Sequence, residues 1–413
     1  MTLRPDDARA LAQRYGTPLV LIDLDAFDEA IARCIAVCAP YDIEISYAAK
    51  ALPLTGIARF VAEHGLNIDV CSLGELVTAE RAEVPAERIT LHGCAKNDEE
   101  LSAAAGGRVG RIAVDGLGEL KRLASMPLQR PLSILLRINP GIEAHTHSFV
   151  RTGGEDTKFG IPPSDEEAAR ATLRDAPLLR FAGLHAHVGS QIYEAGAYGA
   201  VAEALVTAAA RFGRDGFVTE EIVIGGGFGV TTHPDRPNER LDFPGTIEGA
   251  VRATRVAASR VRIPPPRIGI EPGRMLVGPA GTTLYTVRAI KRQPRRTFVV
   301  VDGGLYENPR PALYGACHHA VAVTRPNLDL KEVTLCGRSC ENDELGKAML
   351  PSTLEEGDLV EMRVTGAYTY SMASNYNRFT RPAVVGLQGG KERLLARRET
   401  IDEVLARDIA QEG

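Results

Sequence analysis

The chain has 413 residues, a net charge of -5 and a pI near 6.1, with 44% hydrophobic and 24% charged residues. This is the composition of a globular protein with ample core, and it carries no basic footprint for nucleic acid. No apolar run approaches the roughly 20 residues of a membrane span, and the polar start "MTLRPDDARALAQRYG" is unlike a secretory signal, so the expectation is a cytoplasmic protein with no membrane partner. The seven cysteines are scattered without a CxxC pair. They read as small buried hydrophobes in a reducing compartment, with no metal site.

In chain order, "TPLVLIDLDAF" reads as a strand ahead of the main pattern, and residues 1–27 are expected to join a second domain. From about residue 44 to 274 a regular beat sets in. Apolar, β-branched runs occur at "EISYAA", "NIDVC", "ITLHG", "RIAVDG", "SILLRINP", "FAGLHAHVG", "EIVIGGG" and "RIGIEPG", mostly separated by helix-like stretches such as "LTGIARFVAEHG". Strands alternating with helices indicate βαβ units and a parallel sheet. Eight units fit an α/β fold of the (β/α)8 TIM-like barrel type over residues 28–280. A doubly wound open sheet is the competitor, but no GxGxxG opens the first unit. From residue 281 to 413 apolar runs such as "TTLYTVRAIKR", "RTFVVVDGG" and "DLVEMRVTGAY" follow one another without long helical spacers. That texture indicates an antiparallel β domain.

A barrel gathers its active site at the C-terminal ends of its strands. Those ends carry Lys50, Asp69, His92, Asp115, Asn139, His187 with Ser190, the turn Gly225-Gly226-Gly227, and Glu271 with Gly273 and Arg274. Lys50 alone is ambiguous, because a lysine at a strand end also snorkels to solvent. The glycine turn follows the seventh strand, where barrels bind phosphate, and glycines let backbone N–H groups approach phosphate oxygens. A helix starting after the glycines would add a favourable dipole. A tight turn explains a glycine triplet equally well, so position decides for phosphate. A lysine and a phosphate site in one mouth suggest pyridoxal 5'-phosphate, with Glu271 as the carboxylate for its ring nitrogen and His187 against its face.

The motifs "YAAKAL", "DVCSLGEL", "HAHVGSQI", "GGGFG", "EPGR", "NPRPALYGA", "CEND" and "GAYTYSMASNYN…RPA" span residues 47 to 383. They resemble the fold-type III pyridoxal-phosphate-dependent decarboxylases, with the diaminopimelate-decarboxylating branch nearest and the ornithine and arginine branches further off. The resemblance implies an alanine-racemase-type barrel plus a C-terminal β domain. It implies that Lys50 holds the cofactor covalently, Asp69 supports the site, His187 stacks on the ring and Glu271 meets its nitrogen. Ser190, Gly225, Gly226, Gly227, Gly273 and Arg274 would surround the phosphate and substrate carboxylate, and Tyr368 would touch cofactor and substrate. It further implies a homodimer in which Cys340 and Glu341 reach the partner's site, the cysteine protonating the product.

Alanine racemase, a fold relative, places an arginine near the ring nitrogen, so Glu271 argues for decarboxylation. Arg274, Arg310 and Tyr314 look like a clamp for a distal carboxylate and Glu341 like an acceptor for a distal amine. The expected reaction is meso-diaminopimelate to L-lysine and carbon dioxide. Three departures keep other substrates in play: "CENDE" for the usual "CESGD", Arg151 for a small apolar residue, and Tyr306 for a smaller one. Relatives with such changes decarboxylate other amino acids or carrier-bound glutamyl groups in secondary metabolism. An inactive regulatory homologue is the remote alternative, although the lysine, carboxylate and cysteine are all present.

Overall fold

A computed structural model describes residues 3–141, 157–236 and 238–409. Arg151 lies outside the described residues. The chain divides into two compact units: Ile31–Val230 with Glu239–Met275, and Met1–Ala30 with Thr231–Asn238 and Leu276–Gly413.

β1 (Leu19–Asp23) belongs to the second unit. The next eight strands are β2 (Glu44–Ala48), β3 (Asn67–Val70), β4 (Ile89–Leu91), β5 (Arg111–Val114), β6 (Leu132–Arg137), β7 (Leu179–His185), β8 (Glu221–Val223) and β9 (Arg267–Ile270). They form a closed parallel barrel, with β9 returning to β2 through Ile45 opposite Ile270. Parallel strands covered by helices are buried on both faces, which is why they read as nearly continuous apolar runs. Ile68, Val70, Leu91, Ile112 and Val114 are fully buried. Helices fill the intervals, and their starts are written locally: Ser72 caps the helix Leu73–Arg81 by accepting the Glu75 N–H at 3.2 Å. One level of the barrel is ionic. Arg111 on β5 pairs with Glu221 on β8 at 2.5 Å and with Glu44 on β2. Partners on three non-adjacent strands have to meet across the interior.

The second unit carries β10 (Gly281–Arg292), β11 (Thr297–Val301), β12 (Ala320–Ala322), β13 (Leu330–Cys336), β14 (Glu344–Pro351), β15 (Leu359–Arg363), β16 (Ala383–Gln388) and β17 (Lys391–Ala396). Its sheet runs β14-β13-β11-β10-β1-β16-β17, with β15 pairing β10 and β12. Most pairings are antiparallel, but β1–β16 and β11–β13 are parallel, so the sheet is mixed. β1 sits between β10 and β16, and its Leu19 and Leu21 pack with Leu284, Leu359, Ala383 and Val385.

Candidate active site

The polar strand ends converge on one carboxylate. Glu271 follows β9, and the His185 Nε2 at the end of β7 lies 3.1 Å from its Oε2. The His92 Nε2, just beyond β4, lies 3.3 Å from Glu271 Oε1 and 3.5 Å from Asp69 Oδ1. These donors fall within 4.8 Å of one another, a spacing open to a metal ion or to hydrogen bonds around one carboxylate. Burial opposes the charge on Glu271, yet the imidazoles of His185 and His92 outweigh it and hold the carboxyl well below the usual range. Asp69 shifts the other way, pushed well up by burial and then by the charge of Glu271. The two carboxyls are thus driven in opposite directions, Glu271 toward the ionised form and Asp69 toward the neutral one. Burial pushes His92 down to about 4.

The glycine turn is oriented group by group. The carbonyls of Gly225 and Gly227 accept the N–H groups of Glu271 at 2.9 Å and Ile192 at 2.9 Å. The Gly226 carbonyl accepts the Tyr198 hydroxyl at 3.2 Å. In a trans peptide the next N–H points opposite to the carbonyl, so the N–H groups of Gly226, Gly227 and Phe228 turn the other way. That of Gly226 donates to His187 Nδ1 at 3.2 Å. Those of Gly227 and Phe228 have no protein acceptor among the described residues. Side chains are excluded here: a Cβ on Gly226 would strike the Glu271 carbonyl, and Gly227, at a φ of 84°, would strike that of Gly189. Arg274 Nη2 donates to the Ser190 hydroxyl at 3.3 Å beside this turn.

The expected helix after the glycines does not form; the next one is Phe243–Val261. Phe228 is instead bridged to Ile192 as a short parallel ribbon, which keeps the backbone extended. An anion at this turn would meet N–H groups without a helix dipole.

Of the chain's eight lysines, two lie at C-terminal ends of barrel strands. Lys96 is 2% exposed and spends its ammonium on the Gly93 carbonyl at 2.7 Å, the Ala113 carbonyl at 2.6 Å and Glu119 at 2.8 Å. Three acceptors for three N–H groups fix it as a structural cation. Lys50 sits on the single turn Ala49–Ala51 after β2 and is exposed. Gly273 packs on that turn, where a Cβ would stand 3.1 Å from the Ala51 methyl. After burial, the charge of Lys50 is the largest influence holding His187 below its usual range.

The second unit brings another expected group together. Arg310 opens the helix Arg310–Tyr314, is 6% exposed, and lies 5.1 Å from the Tyr314 ring and 5.8 Å from that of Tyr368. Cys340 and Glu341 are exposed on a loop whose Cys340 N–H donates to Asn377 at 3.0 Å and whose Glu341 meets the Tyr376 hydroxyl. Tyr306 does not reach out from this unit. It is 1% exposed, donates to the Asp302 carbonyl at 2.9 Å and packs on Phe379, so its size serves the core.

Two residues, His185 and Asp343, escaped the sequence reading, and His92 was read without its role. His185 lies inside a quoted run, and the alternation His185-x-His187 was the available sign, because residues i and i+2 share a strand face. His92 was seen as a strand end without a partner. Asp343, in "CEND", accepts the N–H groups of Leu305 at 2.6 Å and Ser339 at 3.0 Å and so ties the loop of Cys340 to the stretch before Arg310.

An accessible amine, a cradle of unspent N–H groups and an ionised carboxylate at one barrel mouth define a class: a barrel enzyme built to hold an anionic carbonyl cofactor. The chain belongs to the pyridoxal-dependent decarboxylase family, whose pyridoxal binding domain matches residues 25–278. It is a pyridoxal-phosphate-dependent carboxy-lyase. It is 43% identical to the diaminopimelate decarboxylase of Actinosynnema pretiosum, over 97% of this chain and 91% of that one. It is 39% identical to the Bacillus subtilis diaminopimelate decarboxylase, over 98% and 94%. The crystal structure of the M. jannaschii diaminopimelate decarboxylase in complex with L-lysine is 28% identical and superposes with a TM-score of 0.90 over 98% of this chain and 95% of that one. No helix among the described residues is long and apolar enough to cross a membrane.

Proposed function

We propose that this carboxy-lyase converts meso-diaminopimelate to L-lysine and carbon dioxide, acting in the cytoplasm as a homodimer with shared active sites. The likeness to diaminopimelate decarboxylases along 97% of the chain carries the reading. The buried guanidinium of Arg310 between two tyrosine rings supports it, as the group a distal carboxylate needs.

The barrel residues fit pyridoxal phosphate by their chemistry. Lys50, exposed on the turn after β2, would hold the cofactor and release it to the substrate amine. The two unspent N–H groups at Gly227 and Phe228, with Ser190, Gly225, Gly226, Gly273 and Arg274, receive the phosphate. When bound, this cofactor supplies an electron sink for the pair left at Cα as carbon dioxide departs.

Glu271, kept ionised by His185 and His92, holds a proton on the ring nitrogen. Asp69, whose neutral form burial and the charge of Glu271 favour, supports the site. His187, neutral and oriented by the Gly226 N–H, covers the ring face. Arg310 with Tyr314 binds the distal carboxylate, Arg274 and Tyr368 complete the contacts to substrate and cofactor, and Glu341 accepts the distal ammonium. Cys340 returns a proton to Cα, so that one proton enters as one carbon dioxide leaves.

The test is product formation from meso-diaminopimelate, lysine, ornithine, arginine and glutamate, followed as carbon dioxide release with identification of the amine. Turnover of meso-diaminopimelate to L-lysine is the expected result. Turnover of another amino acid without it would overturn the substrate.

A further inference from the structure

The glycine turn is held by a side chain acting as a strand. Gln191 follows Ser190 at a φ of 57°, a left-handed conformation that side chains other than glycine, asparagine and aspartate seldom take. Its Oε1 accepts the Val230 N–H at 3.0 Å, and its Nε2 donates to the Val230 carbonyl at 3.0 Å and to the Tyr193 hydroxyl at 2.9 Å. One amide thus satisfies both backbone groups of one residue, as a neighbouring strand would. The Tyr193 hydroxyl meets the same carbonyl at 3.2 Å. One residue along, Ile192 donates to the Gly227 carbonyl at 2.9 Å and accepts the Gly229 N–H at 3.0 Å. The ribbon formed by 191–192 and 227–230 is therefore closed at one end by the Gln191 amide.

This closure governs direction. Turning the Gly227 carbonyl toward Ile192 turns the Phe228 N–H away from it, and the Tyr198 bond to the Gly226 carbonyl does the same for the Gly227 N–H. Glycines at φ of 73° and 84° (Gly225 and Gly227) do not hold such an arrangement by themselves, because glycine has the widest backbone freedom.

We propose that Gln191 is a positioning residue for the cofactor phosphate: it clamps Val230 so that the Gly227 and Phe228 N–H groups stay aimed at one anion. This rests on the reading that the glycine turn receives the phosphate of pyridoxal phosphate. Gln191 itself touches neither the ring nor the reacting carbon in this role, so its loss is felt only by a ligand that carries a phosphate.

The experiment compares pyridoxal phosphate with pyridoxal, which has the same aldehyde and ring but no phosphate. Holoenzyme is stripped of cofactor and titrated with each ligand, reading the visible absorption of the bound form. Wild type is expected to prefer pyridoxal phosphate strongly. Gln191→Ala and Gln191→Gly are expected to lose about tenfold in affinity for pyridoxal phosphate and nothing for pyridoxal. The glycine variant is relieved of the left-handed strain, so it reports on the clamp even if the alanine variant folds poorly. Gln191→Glu keeps the acceptor for the Val230 N–H but not the donor, and is expected to fall between. An unchanged ratio of the two affinities in the glycine and alanine variants overturns the proposal while leaving the phosphate site standing. A wild type that binds both ligands equally overturns the phosphate site itself, and the proposal with it.

Discussion

The mouth of the barrel and the turn before Arg310 both bury carboxylates, and they treat the charge in opposite ways. At the mouth, Glu271 is ringed by His185 and His92 and stays ionised. In the second unit, Glu307 is fully buried, and its hydrogen-bond partners among the described residues are the Tyr285 hydroxyl at 2.6 Å and the Gly304 N–H at 3.3 Å. Burial pushes it up to about 8. The mouth sets two imidazoles around a carboxylate whose charge burial opposes, which fits the role proposed for Glu271. Glu307 meets a hydroxyl and an N–H where Glu271 meets imidazoles, and burial favours its neutral form.

The largest effect is expected at Glu271. Glu271→Gln keeps the shape and loses the charge, and turnover should fall by on the order of a hundredfold or more while the fold is retained; full activity would show that the ionised carboxylate is not used. In the second unit the effect should fall on substrate affinity instead. Arg310→Ala is expected to raise KM for meso-diaminopimelate by on the order of a hundredfold, with cofactor absorption unchanged. A parallel loss of cofactor would give Arg310 a different task.

Smaller effects follow from pH. His92, His185 and His187 all titrate below 6.5 when folded, His92 near 4. Their contribution is present above pH 6.5 and lost as pH falls toward 4, because the unfolded chain then binds more protons. Glu307 has the opposite sign: its contribution is present below pH 4.5 and lost as pH rises through about 8. Glu307→Gln, which keeps the oxygen that accepts from Tyr285, should therefore raise Tm at pH 8 and change it little at pH 5. Equal shifts at both pH values would mean that Glu307 is not protonated in the fold.

The barrel was legible because buried parallel strands concentrate apolar residues, so that a Lys, His or Glu at their ends stands out. β14 and β17 were harder. β17, "KERLLA", is largely exposed, and β14 alternates around Gly346 and Lys347, so neither concentrates apolar residues. The grouping of Arg310 with Tyr314 and Tyr368 came from motif resemblance, since no periodicity links residues 58 positions apart in chain order. The roles of Gln191 and Asp343 are not written locally at all. Each uses a side chain on a distant backbone, at φ of 57° and 40°, and such pairing leaves no pattern in the sequence.

Lys50 is the amine proposed to hold pyridoxal phosphate. Borohydride reduction of the holoenzyme, followed by mass mapping of its peptides, tests this directly, because the chain has only eight lysines to choose among. The predicted result is one pyridoxyl group on the peptide containing Lys50, absent from Lys50→Ala. A pyridoxyl group on Lys96 or any other lysine, or on none, would contradict it.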